Sequence, residues 1–140
     1  MLIPRYELFD HTADLGVRVR APTLSQLVAP STDGLYAAIG DVRTAGLPVV
    51  RTFELDGPEP ALMLRDYLAE LLHLFDADRR RLTDLEVQEF SEHRLVVLGQ
   101  ARPVDVARSA LQREVKAVTY HELAIRPIEG GYEATYIVDI

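Results

Sequence analysis

The sequence predicts an α+β fold, a single two-layer domain in which a mainly antiparallel sheet packs against two helices. Helical periodicity appears early in the chain, strand-like segments cluster late, and short turn-rich links join the late strands. The 140 residues leave room for one compact domain over 1–140, because a chain of this length buries roughly two thirds of its unfolded surface around one core.

The N-terminal part of the chain predicts a strand followed by an interrupted helix. Residues 15–20 alternate apolar side chains with polar or small ones, which is typical of a strand with one buried face. Thr23 can cap the helix that follows, but Pro30 interrupts its apolar pattern. Because proline removes a backbone hydrogen bond and clashes with the preceding turn, we expect a first helix broken at Pro30, either as a kink or as two short helices.

A second helix is the clearest element of the chain. It follows a predicted strand at residues 49–55, and its apolar side chains recur at helical spacing. They are Leu64, Tyr67, Leu68, Leu71, Leu72 and Phe75. Short links at 91–93 and 129–131 suit hairpins, which makes the late strands antiparallel. We expect these strands at 82–89, 94–101, within 116–126 and at 132–138.

Charge and composition limit the functions that the chain can have. The formal net charge is −7, and because nucleic-acid binders usually present a basic face, direct stable binding of nucleic acid is disfavoured. An acidic chain can still bind a metal ion or a basic protein surface. The chain has no cysteine for a thiolate metal site, and its apolar runs are too short to cross a membrane. We therefore expect a cytoplasmic protein.

Carboxylates stand near both ends of the sequence, next to predicted strands. Asp14 precedes the first predicted strand, and Asp139 and the terminal carboxylate of Ile140 follow the last. If these two strands are neighbours, the carboxylates form a cluster that needs a cation, because like charges a few ångströms apart raise one another's pKa or recruit a counter-ion. Such oxygen ligands suit Ca²⁺, Mg²⁺ or Mn²⁺. The alternative is that Asp14 only accepts hydrogen bonds from turn amides.

A third polar segment, residues 114–122, contains Glu114, Lys116 and His121. In an unbroken strand Lys116 and His121 lie on opposite faces, so they cannot act on one small substrate unless the strand is bulged. A single lysine or histidine in a strand is more often solvated than catalytic. This segment alone therefore indicates little about function.

Taken together, three segments resemble the archease family. The first is residues 10–16, with the sequence Asp-His-Thr-Ala-Asp-Leu-Gly. The second is the long segment 114–122, and the third is the final pair Asp139 and Ile140. Their order and spacing match the family across essentially the whole chain, although Pro30 and the loop at 103–112 depart from it. The resemblance implies that Asp14, Asp139 and Ile140 bind a divalent cation, usually calcium.

The resemblance also implies a function. Archeases are not enzymes by themselves: they activate an RtcB-type RNA ligase in tRNA splicing and RNA repair, promoting its guanylylation and multiple turnover. That ligase uses GTP and Mn²⁺ to join RNA ends. In this interpretation His11, Glu114, Lys116 and His121 are candidates for the residues that contact the ligase, its nucleotide or the rim of the metal site.

Two other classes of protein stay open at this point. The first is an independent metal-dependent hydrolase, in which His11 or His121 is the general base. The second is an interaction or chaperone-like module whose metal is structural. Removing a structural metal unfolds its domain, whereas an activator without its metal stays folded and loses only its function.

Overall fold

Two antiparallel sheets make up most of the computed structural model, which describes residues 2–140. The first sheet has the order β1-β2-β10-β8, and β9 pairs with β10 alongside β8. Its strands are β1 (Arg5–His11), β2 (Asp14–Ala21), β8 (Ala117–Val118), β9 (Ala124–Ile128) and β10 (Gly131–Asp139). The second sheet has the order β4-β6-β5, with β4 (Val49–Asp56), β5 (Arg80–Phe90) and β6 (Arg94–Pro103). A short pair joins β3 (Gly40–Asp41) to β7 (Ala110–Leu111).

Two helices pack against both sheets. Helix α1 (Leu24–Ile39) contacts β1, β2 and β10 of the first sheet and β5 of the second, whereas α2 (Pro60–Asp78) contacts β4, β5 and β6 and also β8 and β9. Apolar side chains from both helices and both sheets join in one core, in which Val17, Leu68 and Tyr136 are fully buried. The predicted α+β class is confirmed. None of the helices in residues 2–140 is long and apolar enough to span a membrane.

The expected break at Pro30 is wrong, because α1 runs continuously over Leu24–Ile39. Pro30 is itself buried, and α1 has buried residues before and after it. Packing of this apolar face offsets the one hydrogen bond that proline removes, since most helical stability in proteins comes from tertiary contacts. The carbonyl that lacks its proline partner belongs to Gln26, which is exposed to water. Beyond the proline, the Tyr136 hydroxyl donates to the Ser31 carbonyl at 2.7 Å and holds α1 on the first sheet.

The other predicted elements form, with two differences. All the long predicted strands are present, and both predicted links connect hairpins. The sequence pattern missed β1, because this strand lies at the edge of its sheet and most of its residues are exposed. The strand expected within 116–126 is present as two short strands: β8 ends at Val118, and a turn separates it from β9.

Candidate metal centre

Strands β2 and β10 are neighbours, and their register places Asp14 directly opposite Asp139. Directly opposed residues of an antiparallel pair point to the same face, with Cβ atoms about 4.5–5.5 Å apart. The neighbouring strands extend this pairing on both sides: His11 of β1 lies opposite Asp14, and Ala117 of β8 lies opposite Asp139. The first and last of the predicted strands are therefore neighbours, and the two aspartates lie opposite each other at one end of the first sheet.

The tight turn between β1 and β2 holds His11 beside Asp14. Only Thr12 and Ala13 separate the paired residues, and Ala13 has a φ of 62°, in the left-handed region. The imidazole Nδ1 of His11 lies 3.7 Å from Oδ2 of Asp14. This nitrogen is buried and has no hydrogen-bond partner in residues 2–140. The turn therefore aims an unsatisfied polar atom at the carboxylate.

The Asp14 carboxylate is available for a ligand. Its side chain is 28% exposed, and His11 is its ion-pair neighbour. Within residues 2–140 its oxygens accept no hydrogen bond from the turn amides, so the alternative role as a turn residue is not realised in this structure. Ile140 follows Asp139 directly and is 38% exposed.

The turn after β8 brings two further polar side chains to His11. The rings of His11 and His121 are 5.2 Å apart between centroids. Oε2 of Glu122 lies 3.5 Å from Nε2 of His11. The unbroken strand considered for this segment does not form: Val118 ends β8, and Glu122 takes a φ of 53°. His121 and Glu122 consequently reach the same histidine, although neighbouring residues of a strand would face opposite ways.

Lys116 lies next to Asp139, whereas Glu114 lies away from the two aspartates. The Lys116 amide donates to the Asp139 carbonyl at 2.8 Å, and its side chain is exposed. Glu114 is also exposed but lines a separate groove with Phe75 and Arg79. Of the predicted site residues, the structure thus gathers Asp14, Asp139, Ile140, His11, His121 and the backbone of Lys116. It adds Glu122, which the sequence pattern did not indicate.

The two kinds of donor atom differ in the metal ions that they suit. Asp14, Asp139 and Ile140, which we call the carboxylate centre, offer only oxygen atoms and fit a hard divalent cation. Calcium takes roughly six to eight oxygen ligands. If each aspartate contributes one carboxylate oxygen, the three residues supply fewer than that number, and water or a second molecule would complete the shell. His11, His121 and Glu122, which we call the histidine cluster, offer nitrogen as well as oxygen, with ligand atoms that all lie within 4.8 Å of one another.

These features define a class: a small α+β domain with a candidate oxygen-ligand metal centre formed by its second and last strands. The Archease protein family matches over residues 6–140, and the chain belongs to that family.

Curated relatives and solved structures agree with this assignment. The archease of Methanopyrus kandleri is 33% identical over 138 residues, covering 96% of this chain and 99% of that protein. The archease of Thermococcus gammatolerans is 31% identical over 140 residues, covering 97% and 99%. The solution structure of protein 1598 from Methanobacterium thermoautotrophicum has the same fold, with a TM-score of 0.68 at 24% identity over 96% of this chain and 98% of the other. A crystal structure from Thermotoga maritima, described as an archease and possible chaperone, has a TM-score of 0.63 at 14% identity over 94% of each chain.

Proposed function

We propose that this chain is a metal-binding accessory protein that activates an RtcB-type RNA ligase in tRNA splicing and RNA repair. In this proposal it is not an enzyme itself, and it promotes guanylylation and multiple turnover of the ligase. The observation that carries the proposal is the direct pairing of Asp14 with Asp139 at an accessible end of the sheet. The identity of the partner rests on the archease resemblance.

The carboxylate centre would hold a divalent cation, Ca²⁺ in the first place and Mg²⁺ or Mn²⁺ as alternatives. The donors fit such an ion, because Asp14 is only partly exposed and its oxygens are free of hydrogen bonds within residues 2–140. When bound, a cation of this kind supplies positive charge that phosphate oxygens can share. Asp14 and Asp139, opposed in the register of β2 and β10, would each contribute carboxylate oxygen and leave the remaining ligands to water or to the partner.

The incomplete ligand set suggests how the chain acts on the ligase. We infer that the acidic end of the first sheet enters the metal- and nucleotide-binding cleft of the ligase, where Asp14 and Asp139 help to place or exchange a cation. Lys116 stands at the rim, fixed by the hydrogen bond of its amide to Asp139 and with an exposed side chain. A lysine there can contact phosphate or an acidic group of the partner. The Thermotoga maritima relative, described as a possible chaperone, is consistent with a protein partner.

The test is guanylylation and multiple-turnover ligation by the cognate ligase, with and without this chain. We expect the natural chain to stimulate both steps, Asp14→Ala to abolish stimulation, and Asp10→Ala to keep it. Asp10 is the matched control, since it is exposed in the same hairpin but pairs with Leu15 rather than with a carboxylate. Full stimulation by a folded Asp14→Ala chain would refute the role of the carboxylate centre.

Two other outcomes would move the assignment to the competing classes. If the folded natural chain does not stimulate its ligase and chelation unfolds it, the metal is structural and the chain is an interaction module. The position of His11 beside Asp14, at 3.7 Å, favours the hydrolase as the second candidate function, because a general base would stand next to the cation. Metal-dependent hydrolysis of phosphate esters by the isolated chain, lost in His11→Gln, would support that candidate.

A further inference from the structure

We propose that the histidine cluster is a second metal site, separate from the carboxylate centre, that takes a borderline divalent transition-metal ion such as Zn²⁺ or Co²⁺. Its protein ligands are Nε2 of His11, one ring nitrogen of His121 and a carboxylate oxygen of Glu122. Water occupies the fourth position. This inference concerns a different ion and different donor atoms, so it does not depend on the function proposed above.

The spacing of the donors suits a small tetrahedral ion. Metal–nitrogen and metal–oxygen bonds of roughly 2.0–2.2 Å place two ligands of a tetrahedral zinc site about 3.3 Å apart. Nε2 of His11 and Oε2 of Glu122 are already 3.5 Å apart. All three ligand atoms lie within 4.8 Å of one another, so the exposed side chains of His121 and Glu122 need to move by only about an ångström to close on an ion.

The type of donor distinguishes this site from the carboxylate centre. Imidazole nitrogen is a favoured ligand of zinc, cobalt and nickel, whereas calcium and magnesium select oxygen. Two histidines with one carboxylate are also the ligand set of sites that keep an open position for water or substrate. His121 and Glu122 are accessible from solvent, so such a position would face outward.

Asp14 is positioned to orient the first histidine. If Nε2 of His11 binds a metal ion, its proton resides on Nδ1, and a metal-bound histidine usually donates that proton to a carboxylate or carbonyl. Nδ1 of His11 is buried, has no hydrogen-bond partner in residues 2–140, and lies 3.7 Å from Oδ2 of Asp14. A small movement makes this hydrogen bond. Asp14 would then serve both sites, as a ligand in one and as the outer partner of His11 in the other.

The backbone conformation of the turn that carries His121 and Glu122 is consistent with a binding role. Glu122 has a φ of 53°, a conformation that non-glycine residues rarely adopt and that is common at ligand sites. The turn is attached to β10 at its start, where the Thr119 amide donates to the Ile137 carbonyl at 2.9 Å, and within the turn the His121 amide donates to Oγ1 of Thr119 at 3.2 Å. These bonds hold the backbone, while the side chains of His121 and Glu122 remain free to bind.

The experiment is titration of the chelator-treated full chain with Co²⁺, followed by visible absorption, and with Zn²⁺, followed by calorimetry. We expect one equivalent of Co²⁺ to give a tetrahedral spectrum that Zn²⁺ abolishes. His121→Ala should weaken binding by more than about 100-fold, because loss of even an outer-shell partner costs about 10–100-fold. His121 is exposed, so its removal should leave the circular dichroism spectrum and melting temperature unchanged.

Two control variants make the result specific. His93→Ala should bind Co²⁺ like the natural chain, because His93 has a neighbouring carboxylate, Glu92 at 3.8 Å, but does not belong to the histidine cluster. Asp139→Asn should lose Ca²⁺ and keep Co²⁺, which separates this site from the carboxylate centre. The proposal is overturned if Co²⁺ and Zn²⁺ do not bind saturably, if His121→Ala binds within threefold of the natural chain, or if Asp139→Asn weakens Co²⁺ as much as His121→Ala does.

Discussion

Replacing Asp14 by asparagine should change the stability of the chain in opposite directions without and with calcium. Without a cation, Asp14 and Asp139 face each other across a strand pair as two negative charges, and removal of one charge relieves their repulsion. If calcium binds as proposed, the natural chain should gain the binding free energy of the ion, and the variant should not. The sign of the effect therefore depends on the metal.

The expected magnitude follows from the geometry. Two unit charges about 5 Å apart repel by roughly 0.8 kcal/mol in water and by about 3 kcal/mol at an effective dielectric constant of 20. Since the Asp14 side chain is 28% exposed, we expect an intermediate value of about 1–2 kcal/mol. For a domain of this length 1 kcal/mol corresponds to about 3 °C. Asp14→Asn should thus melt about 3–6 °C above the natural chain in chelator.

Calcium at about 100 times its dissociation constant stabilises a folded protein by roughly 2.7 kcal/mol. We expect the natural chain to melt about 8 °C higher in calcium than in chelator, and Asp14→Asn to show no such shift. Thermal unfolding by circular dichroism at pH 8 measures both quantities, with Asp10→Asn as the control that changes neither. An Asp14→Asn chain that melts well below the natural chain in chelator would refute the reasoning, because the carboxylate would then have a structural role.

Two further predictions concern the core and the sheet. Burial raises the pKa of the Tyr36 hydroxyl from 10.0 to about 12, so the folded state holds its proton where the unfolded state releases it. The free energy of unfolding, measured by urea titration, should therefore fall as the pH rises from 10 to 12. In Tyr36→Phe this fall should be smaller by about 1.4 kcal/mol per pH unit. An equal fall in the variant and the natural chain would contradict the prediction. A Cβ added at Gly16 would lie 2.1 Å from the Phe9 ring, so Gly16→Ala should cost about 1–3 kcal/mol of stability. Adding Phe9→Ala to the Gly16→Ala chain should recover part of that lost stability. Equal urea midpoints for Gly16→Ala and the natural chain would refute the prediction, because the Phe9 ring would then move aside without cost.

The elements that follow local rules could be predicted from the sequence. Apolar spacing over 64–75 identified α2, and period-two alternation identified β2. The behaviour of Pro30 could not be predicted in this way, because the local cost of proline is offset by burial against elements distant in sequence. Strand β1 was missed for a related reason: its exposed edge position gives it no clear apolar alternation.

The candidate site was only partly predictable. Acidic residues before and after strands suggested a cation ligand, but the adjacency of Asp14 and Asp139 is a property of strand order, which residue spacing does not determine. The assignment of these residues as metal ligands remains a prediction based on the archease resemblance. Glu122 was missed because strand periodicity separates it from His121, and the left-handed turn that overrides this periodicity has no glycine to signal it.

The pairing of β2 with β10 has a consequence for synthesis of the protein. Nearly the whole chain separates these strands, so closing the sheet requires contacts of high contact order, which form slowly. At about 5–20 residues per second, a ribosome needs roughly 6–25 seconds to extend the chain from Asp14 to Asp139. During this interval the inner edge of β2 lacks its partner and is open to incorrect strand pairing. Asp14 therefore cannot meet Asp139 on a partly made chain, and the carboxylate centre forms only when the sheet closes.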